Sequence, residues 1–105
     1  MKGLGNMGKL MKQAQEMQEK IARAQEELER MEVEGTSGGG AVAVRMNGKL
    51  VVLSLTIKPE VVDPGDVEML EDLVLAAYRE ARKQAEALVE EEMAKVAGGF
   101  PLPGF

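Results

Sequence analysis

The sequence predicts an α+β fold in which two long helices cover one face of a small three-stranded antiparallel sheet. The segment GGGAVAVRMNGKLVVLSLTI, residues 38–57, places Asn47-Gly48 between two apolar runs, which is typical of a β-hairpin. A seven-residue apolar repeat precedes this segment, and apolar residues three and four apart follow it. A lone hairpin is marginal in water, so the two helical segments are expected to cover it.

The first helix is expected to run from about Gly5 to Met31. Two apolar series with a seven-residue repeat form a heptad seam over four heptads: Met7, Ala14, Ile21 and Leu28, and Leu10, Met17, Ala24 and Met31. Such a helix is roughly 40 Å long, whereas a strand of seven or eight residues spans about 25 Å. The helix should therefore extend beyond the sheet. The seam has two open explanations: burial on the chain's own sheet, or contact with a second copy.

The sheet is expected to begin with a short strand over residues 32–35, with Val33 inward, and GTSGGG (residues 35–40) then reverses the chain. A two-residue type I′ turn at Asn47-Gly48 would give both residues positive φ. Met46 would then face Lys49, and the face covered by the helices would carry Val42, Val44, Val51, Leu53, Leu55 and Ile57.

Helix signals also follow the hairpin. Pro59 should end the third strand, because proline has no donor for the ladder. Asp63 is the expected N-cap of the second helix, and Pro64 its first residue. This helix should run from about Pro64 or Asp66 to Ala97, before Gly98-Gly99. We therefore predict one domain over residues 1–97 and an extended, mobile tail over residues 98–105.

Composition argues against catalysis. The chain of 105 residues has no Cys and no His, which excludes disulfides and thiolate metal sites and removes the commonest general base. Acidic clusters on the second helix, such as Glu90 to Glu92, are typical of a solvated helix face. Ser and Thr residues have no His or evident Lys to activate them. We expect no enzyme activity, no metal, no cofactor and no small-molecule substrate.

Charge and hydropathy bear on partners and location. The net charge is −5, which alone argues against a nucleic-acid partner, yet residues 1–15 carry Lys2, Lys9 and Lys12 and no acid. No run approaches the ~20 apolar residues of a membrane span, and the start lacks the apolar segment of a signal peptide. We expect a cytoplasmic protein that does not enter membranes.

Several segments are specific enough to indicate a family. KLMKQAQEMQEK, VEGTSGGGAV, the NGK turn, PEVVDPGDVEMLEDLVLAAYREA and the PLPGF ending closely resemble the YbaB/EbfC family of nucleoid-associated proteins. The resemblance covers nearly the whole chain. It implies an α-β-β-β-α fold, a tweezer-like bacterial homodimer, and duplex DNA contacted by projecting helices. The acidic net charge departs from what a DNA-binding chain usually has.

Candidate DNA contacts follow from the placement of basic residues, because phosphate contacts depend on local charge. The first helix has no aromatic residue to stack on bases, so backbone contact with weak sequence preference is favoured. The candidate residues are Lys2, Lys9, Lys12, Lys20 and Arg23 on the first helix, and Arg79, Arg82 and Lys83 on the second. The alternative is a dimeric interaction adaptor whose acidic helices dock another protein without DNA.

Overall fold

The computed structural model describes residues 2–98, and the side chains of residues 6–98. The elements are α1 (Lys2–Arg30), β1 (Glu32–Ser37), β2 (Val42–Asn47), β3 (Val52–Ile57) and α2 (Val67–Gly98), with 3₁₀ turns at Gly38–Gly40 and Pro59–Val61. The predicted order of a helix, three strands and a helix is confirmed. The expectations for Gly99 and the tail lie outside the described residues.

The sheet is antiparallel in the order β1-β2-β3. Helix α2 packs across β1 and β2, and β3 forms an edge that α2 leaves largely uncovered. The core joins three strand side chains to three helix alanines: Val42, Val44 and Met46 against Ala77, Ala81 and Ala85. Small alanines let the helix approach the strands closely, and Val33 packs against the same core, as predicted.

The hairpin turn differs from the expected one. Leu50 N donates to the Asn47 carbonyl at 3.0 Å, and Leu50, not Gly48, has the positive φ of 64°. This is a three-residue loop with a left-handed residue at its end. Asn47 is buried, and its Oδ1 accepts from the amides of Lys49 at 2.9 Å and Val51 at 3.2 Å. The asparagine side chain closes the loop and so selects the longer connection.

Position 48 requires glycine because of close packing, and not because of a positive φ. A Cβ there would lie 2.6 Å from the Leu28 carbonyl oxygen. The Gly48 amide donates to the carbonyls of Leu28 at 2.8 Å and Met31 at 3.1 Å. These carbonyls belong to the C-terminal end of α1, where the helix leaves acceptors unpaired. The hairpin loop therefore caps the first helix, a contact that the local turn signal does not reveal.

The longer loop changes which residues share a face. Val44 pairs with Leu55, and a register shift between Arg45 and Met46 brings Val52 opposite Met46. Val51, Leu53 and Leu55 were all expected on the covered face, but they are 52%, 44% and 49% exposed, so that prediction was wrong: α2 leaves this edge of the sheet largely uncovered. A bulge moves side chains between faces because the side-chain period of a strand is two.

The start of α2 also differs from the prediction. Asp63 does not cap the helix, because its Oδ1 accepts from the Gly65 amide at 2.9 Å and closes a tight turn. The cap is Asp66, whose Oδ1 accepts from the Met69 amide at 3.2 Å. The turn across Pro64-Gly65 places Asp66 directly before the first helical residue, so α2 begins at Val67.

The molecule is elongated, with extents of 78 × 24 × 17 Å and a radius of gyration of 20.9 Å. A compact domain of this length has a radius of gyration near 13 Å. Helix α1 packs on the rest of the chain through its C-terminal half, where Ala24 and Leu28 are buried, while Leu10 is 62% exposed. The predicted extension of the first helix beyond the sheet is confirmed.

Candidate nucleic-acid interface

The projecting part of α1, residues 6–15, is called the α1 arm below. It carries Lys9 and Lys12, which lie three positions apart and therefore near one another on the helix surface. Residues 2–15 include no acid. Both lysines are exposed, and neither forms an ion pair within the described residues. The arm therefore presents uncompensated positive charge to solvent. The side chain of Lys2, a further candidate, lies outside the described residues.

The other two candidates on α1 lie in a mixed-charge environment. Arg23 pairs loosely with Glu19 at 3.8 Å. Lys20 and Arg23 line a shallow groove between the helices together with Glu27, Glu92 and Lys95. Glu92 is nearly buried and accepts from Lys95 at 3.0 Å, and this hydrogen bond raises the pKa of Lys95. Acids offset much of the positive charge here, so this part of α1 attracts phosphate less than the arm does.

The candidates on α2 divide into two kinds. Arg82 donates to Glu86 at 2.8 Å and to the Tyr78 hydroxyl at 3.2 Å, and the bond to Glu86 is the main reason that its pKa is raised. Arg79 and Lys83 are exposed, one turn apart, and without an ion pair among the described residues. Both lie where α2 crosses the sheet, whereas the α1 arm extends past the other end of α2. The structure thus gives two separate basic surfaces.

A third surface, missed as a site by the sequence reasoning, is apolar. An open groove of about 620 Å³ lies between the edge strand β3 and the first half of α2. Leu55 and Leu75 in its wall are 49% and 44% exposed. Its remaining lining residues are Val44, Val52, Ile57, Leu70, Glu71, Val74 and Tyr78. The available signal was the run Leu50 to Leu53, where apolar residues occupy both faces of the strand.

The residues that the structure describes contain neither a membrane-spanning helix nor a cluster of metal ligands. Neither helix has a stretch there that is long and apolar enough to cross a bilayer. Over residues 2–98, no three Asp, Glu, His or Cys side chains converge to hold a metal ion. The candidate surfaces are therefore the basic α1 arm, the smaller basic patch on α2 and the apolar groove.

Comparison with known families identifies this arrangement. A sequence profile described as the YbaB/EbfC DNA-binding family matches residues 2–100. The chain belongs to this DNA-binding family. Its relatives include a nucleoid-associated protein of Alkaliphilus metalliredigens, 53% identical over 99% of this chain and 91% of the relative. One from Caldanaerobacter subterraneus is 54% identical over 94% and 89%, and one from Pelotomaculum thermopropionicum is 51% identical over 95% of each.

A solved structure supports the fold independently. The crystal structure of an uncharacterized protein from Helicobacter pylori aligns with a TM-score of 0.74, covering 82% of this chain and 90% of that one. The identity is 21%, so this likeness concerns the fold alone. The family resemblance predicted from the sequence is confirmed by the profile match over residues 2–100.

Proposed function

We propose that the chain is a nucleoid-associated homodimer that holds duplex DNA by its phosphate backbone, with weak sequence preference, through the α1 arm. The observation that carries this proposal is the arm itself: a projecting, acid-free helix with Lys9 and Lys12 exposed and unpaired by acids. In this proposal the protein works in the bacterial cytoplasm on chromosomal DNA, and it acts by binding without catalysing a reaction.

The attraction between the arm and DNA depends on local charge more than on net charge. The net charge of −5 arises mainly from acids that follow Lys58. Screening limits the reach of exposed charges to about 8 Å at physiological ionic strength. Duplex DNA at the arm would therefore be attracted by the nearby lysines more than it is repelled by acids beyond that distance. Long aliphatic lysine side chains adapt to phosphates without reading bases, which favours weak sequence preference.

The apolar groove supports the dimeric part of the proposal. Edge strand β3 leaves backbone groups unpaired, and Leu55 and Leu75 stand beside that edge. A monomer that exposes such a face in water gains by covering it with a second copy. Two copies would present two α1 arms, so each lysine position would occur twice and the dimer would make twice as many phosphate contacts. A dimer is also consistent with the thin core, which relies on three alanines.

Dimerisation can be tested separately from DNA binding. Leu55→Glu would place a charge in the groove, and sedimentation at micromolar concentration should then show a monomer. Thr56→Glu is the matched control, because Thr56 is exposed and pairs with Ala43 on the opposite face. If Leu55→Glu and the unmutated chain sediment alike, β3 is not the dimer contact.

DNA binding is tested by charge reversal on the arm. Lys9→Glu with Lys12→Glu should weaken duplex binding at least about tenfold, with the dimer intact, in a fluorescence anisotropy titration. The logarithmic salt slope should become shallower by about 3.6, since each neutralised phosphate contributes about 0.9 and the dimer carries four such lysines. Lys49→Glu with Lys58→Glu makes the same change in net charge at exposed positions of the sheet region.

The control separates local from global charge. If both double variants lose affinity equally, net charge and not the arm governs binding. If the arm variant binds like the unmutated chain, the contact lies elsewhere, and Arg79 with Lys83 on α2 becomes the next surface to reverse. Absence of salt-dependent binding in the unmutated chain would favour the protein-interaction adaptor.

A further inference from the structure

The Asn47-Gly48 pair can undergo a covalent reaction in addition to forming part of a turn. In deamidation, the backbone nitrogen of the following residue attacks the side-chain carbon Cγ of an asparagine. Glycine hinders this attack least, because it has no side chain. Asn47-Gly48 is the only Asn-Gly pair in the sequence, since the other asparagine, Asn6, precedes Met7. Asn47 is therefore the asparagine whose sequence context most favours the reaction.

The reaction has two steps, and water is its only co-reactant. The Gly48 amide loses its proton to a solvent base, and its nitrogen forms a bond to Asn47 Cγ. The bond from Cγ to Nδ2 breaks, and Nδ2 takes up a proton and leaves as ammonia. Water then opens the resulting succinimide ring at one of its two carbonyl carbons. Opening at Cγ gives aspartate, whereas opening at the main-chain carbon gives isoaspartate, in which the main chain runs through the side chain.

The hairpin loop activates the carbon that is attacked. Asn47 Oδ1 accepts hydrogen bonds from the amides of Lys49 at 2.9 Å and Val51 at 3.2 Å. When a nucleophile adds to Cγ, negative charge develops on Oδ1, and donors that already point at this atom stabilise the charge. The loop therefore favours the reaction whenever the Gly48 nitrogen is free to attack.

Helix α1 keeps that nitrogen from attacking. The Gly48 amide donates to the carbonyls of Leu28 at 2.8 Å and Met31 at 3.1 Å, which holds the proton that must leave and fixes the peptide plane. Gly48 is buried and Asn47 is 5% exposed, so a solvent base does not reach the amide while α1 is in place. The Leu28 side chain covers Gly48, since its Cδ2 would lie 2.8 Å from a Cβ at position 48.

We propose that Asn47-Gly48 is a deamidation site that α1 protects, and that it reacts only when the C-terminal end of α1 leaves the hairpin loop. Among the described side chains of α1, Ala24 and Leu28 are the buried ones, so this end has few contacts to break and opens before the sheet core does. Isoaspartate would lengthen the main chain in the loop and displace the Gly48 amide from its two acceptors. A transient opening of α1 would thus become permanent. This inference concerns neither DNA nor the dimer contact.

Mass spectrometry of protein aged at mildly alkaline pH gives the first test. The fraction of deamidated Asn47 is followed in digests made at acid pH, for the folded chain and for a free peptide of residues 43–53. The folded chain should react at least about tenfold more slowly than the peptide, because it reacts only from the open state. Equal rates in the folded chain and the peptide would overturn the proposal.

Two variants separate the opening of α1 from global unfolding. Leu28→Ala removes the side chain that packs α1 on the loop, and it should accelerate deamidation at least about tenfold, which corresponds to about 1.4 kcal/mol. Leu73→Ala is the matched control, because Leu73 packs beside Gly38, at the opposite end of β2 from Asn47. The control should leave the rate within about twofold of the unmutated chain, since both the closed and the open state retain that contact. Equal acceleration by the two variants would assign the reaction to the unfolded chain and refute protection by α1.

Hydrogen exchange tests the opening in the unmutated chain and does not depend on how the variants fold. The Gly48 amide should exchange through the same opening as the amides of residues 25–30. Its exchange should depend on urea less steeply than that of the β2 amides, because a partial opening exposes less surface than global unfolding does. A Gly48 amide that exchanges only together with β2 would show that α1 does not open separately, and the proposal would fail.

Discussion

Gly35 in β1 is where the sheet and α2 come closest, and replacing it tests the packing directly. A Cβ at this position would press on the Ala77 carbonyl oxygen and the Ala81 amide nitrogen, and it would lie 2.8 Å from Ala81 Cα. All three atoms belong to the helix backbone. No side-chain rotation relieves the contact, so the helix itself must move.

The magnitude follows from that displacement. Ordinary contact begins at 3.4 Å, so Ala81 Cα must retreat by at least about 0.6 Å, and the two closer atoms by more. A gap of 0.5–1 Å forfeits about a quarter to a half of each dispersion contact. The alanines that face Val42, Val44 and Met46 share that loss. Overpacking of a tight core costs about 1–3 kcal/mol, and a rigid backbone contact belongs at the upper end.

We therefore expect Gly35→Ala to lower the free energy of unfolding by about 3 kcal/mol. The melting temperature should fall by at least about 12 °C at fixed protomer concentration, followed by circular dichroism at 222 nm. Gly8→Ala is the control, because a Cβ there meets nothing within 4 Å. That change should stabilise the helix by up to about 1 kcal/mol. A Gly35→Ala protein that melts within about 5 °C of the unmutated chain would refute the reasoning.

Three further predictions concern α1 and the hairpin loop. Leu28→Ala should lower the free energy of unfolding by about 2–5 kcal/mol, because Leu28 is 3% exposed and packs α1 against α2 and the loop. Thermal unfolding would measure this loss. Leu50→Gly should raise stability by about 0.5–1 kcal/mol in the same assay, since it relieves a φ of 64°. Asn47→Ala should cost about 1–3 kcal/mol in chemical denaturation, because two loop amides lose their acceptor, whereas Asn47→Asp should retain most of that stability.

The sequence by itself determined the order and type of the elements. Heptad spacing predicted α1, and Pro59 predicted the end of β3. The length of α1 relative to a strand predicted that the helix projects beyond the sheet. Each of these conclusions depends on periodicity or on a residue's own conformational limits, which act over a few neighbours. The absence of acids from the first fifteen residues likewise identified the basic arm without a structure.

Tertiary contact decided the features for which local signals were ambiguous. Asn47-Gly48 is typical of a two-residue turn. In the structure, Gly48 is needed because the loop packs closely against the end of α1, and Leu50 is the loop residue that adopts the left-handed conformation. This loop conformation changed the register of β3, while the position of α2 over β1 and β2 left Val51, Leu53 and Leu55 exposed. Because the side-chain period of a strand is two, a change of one residue turns a side chain to the opposite face, so a distant packing contact determined that Val52, and not Val51, lies opposite Met46.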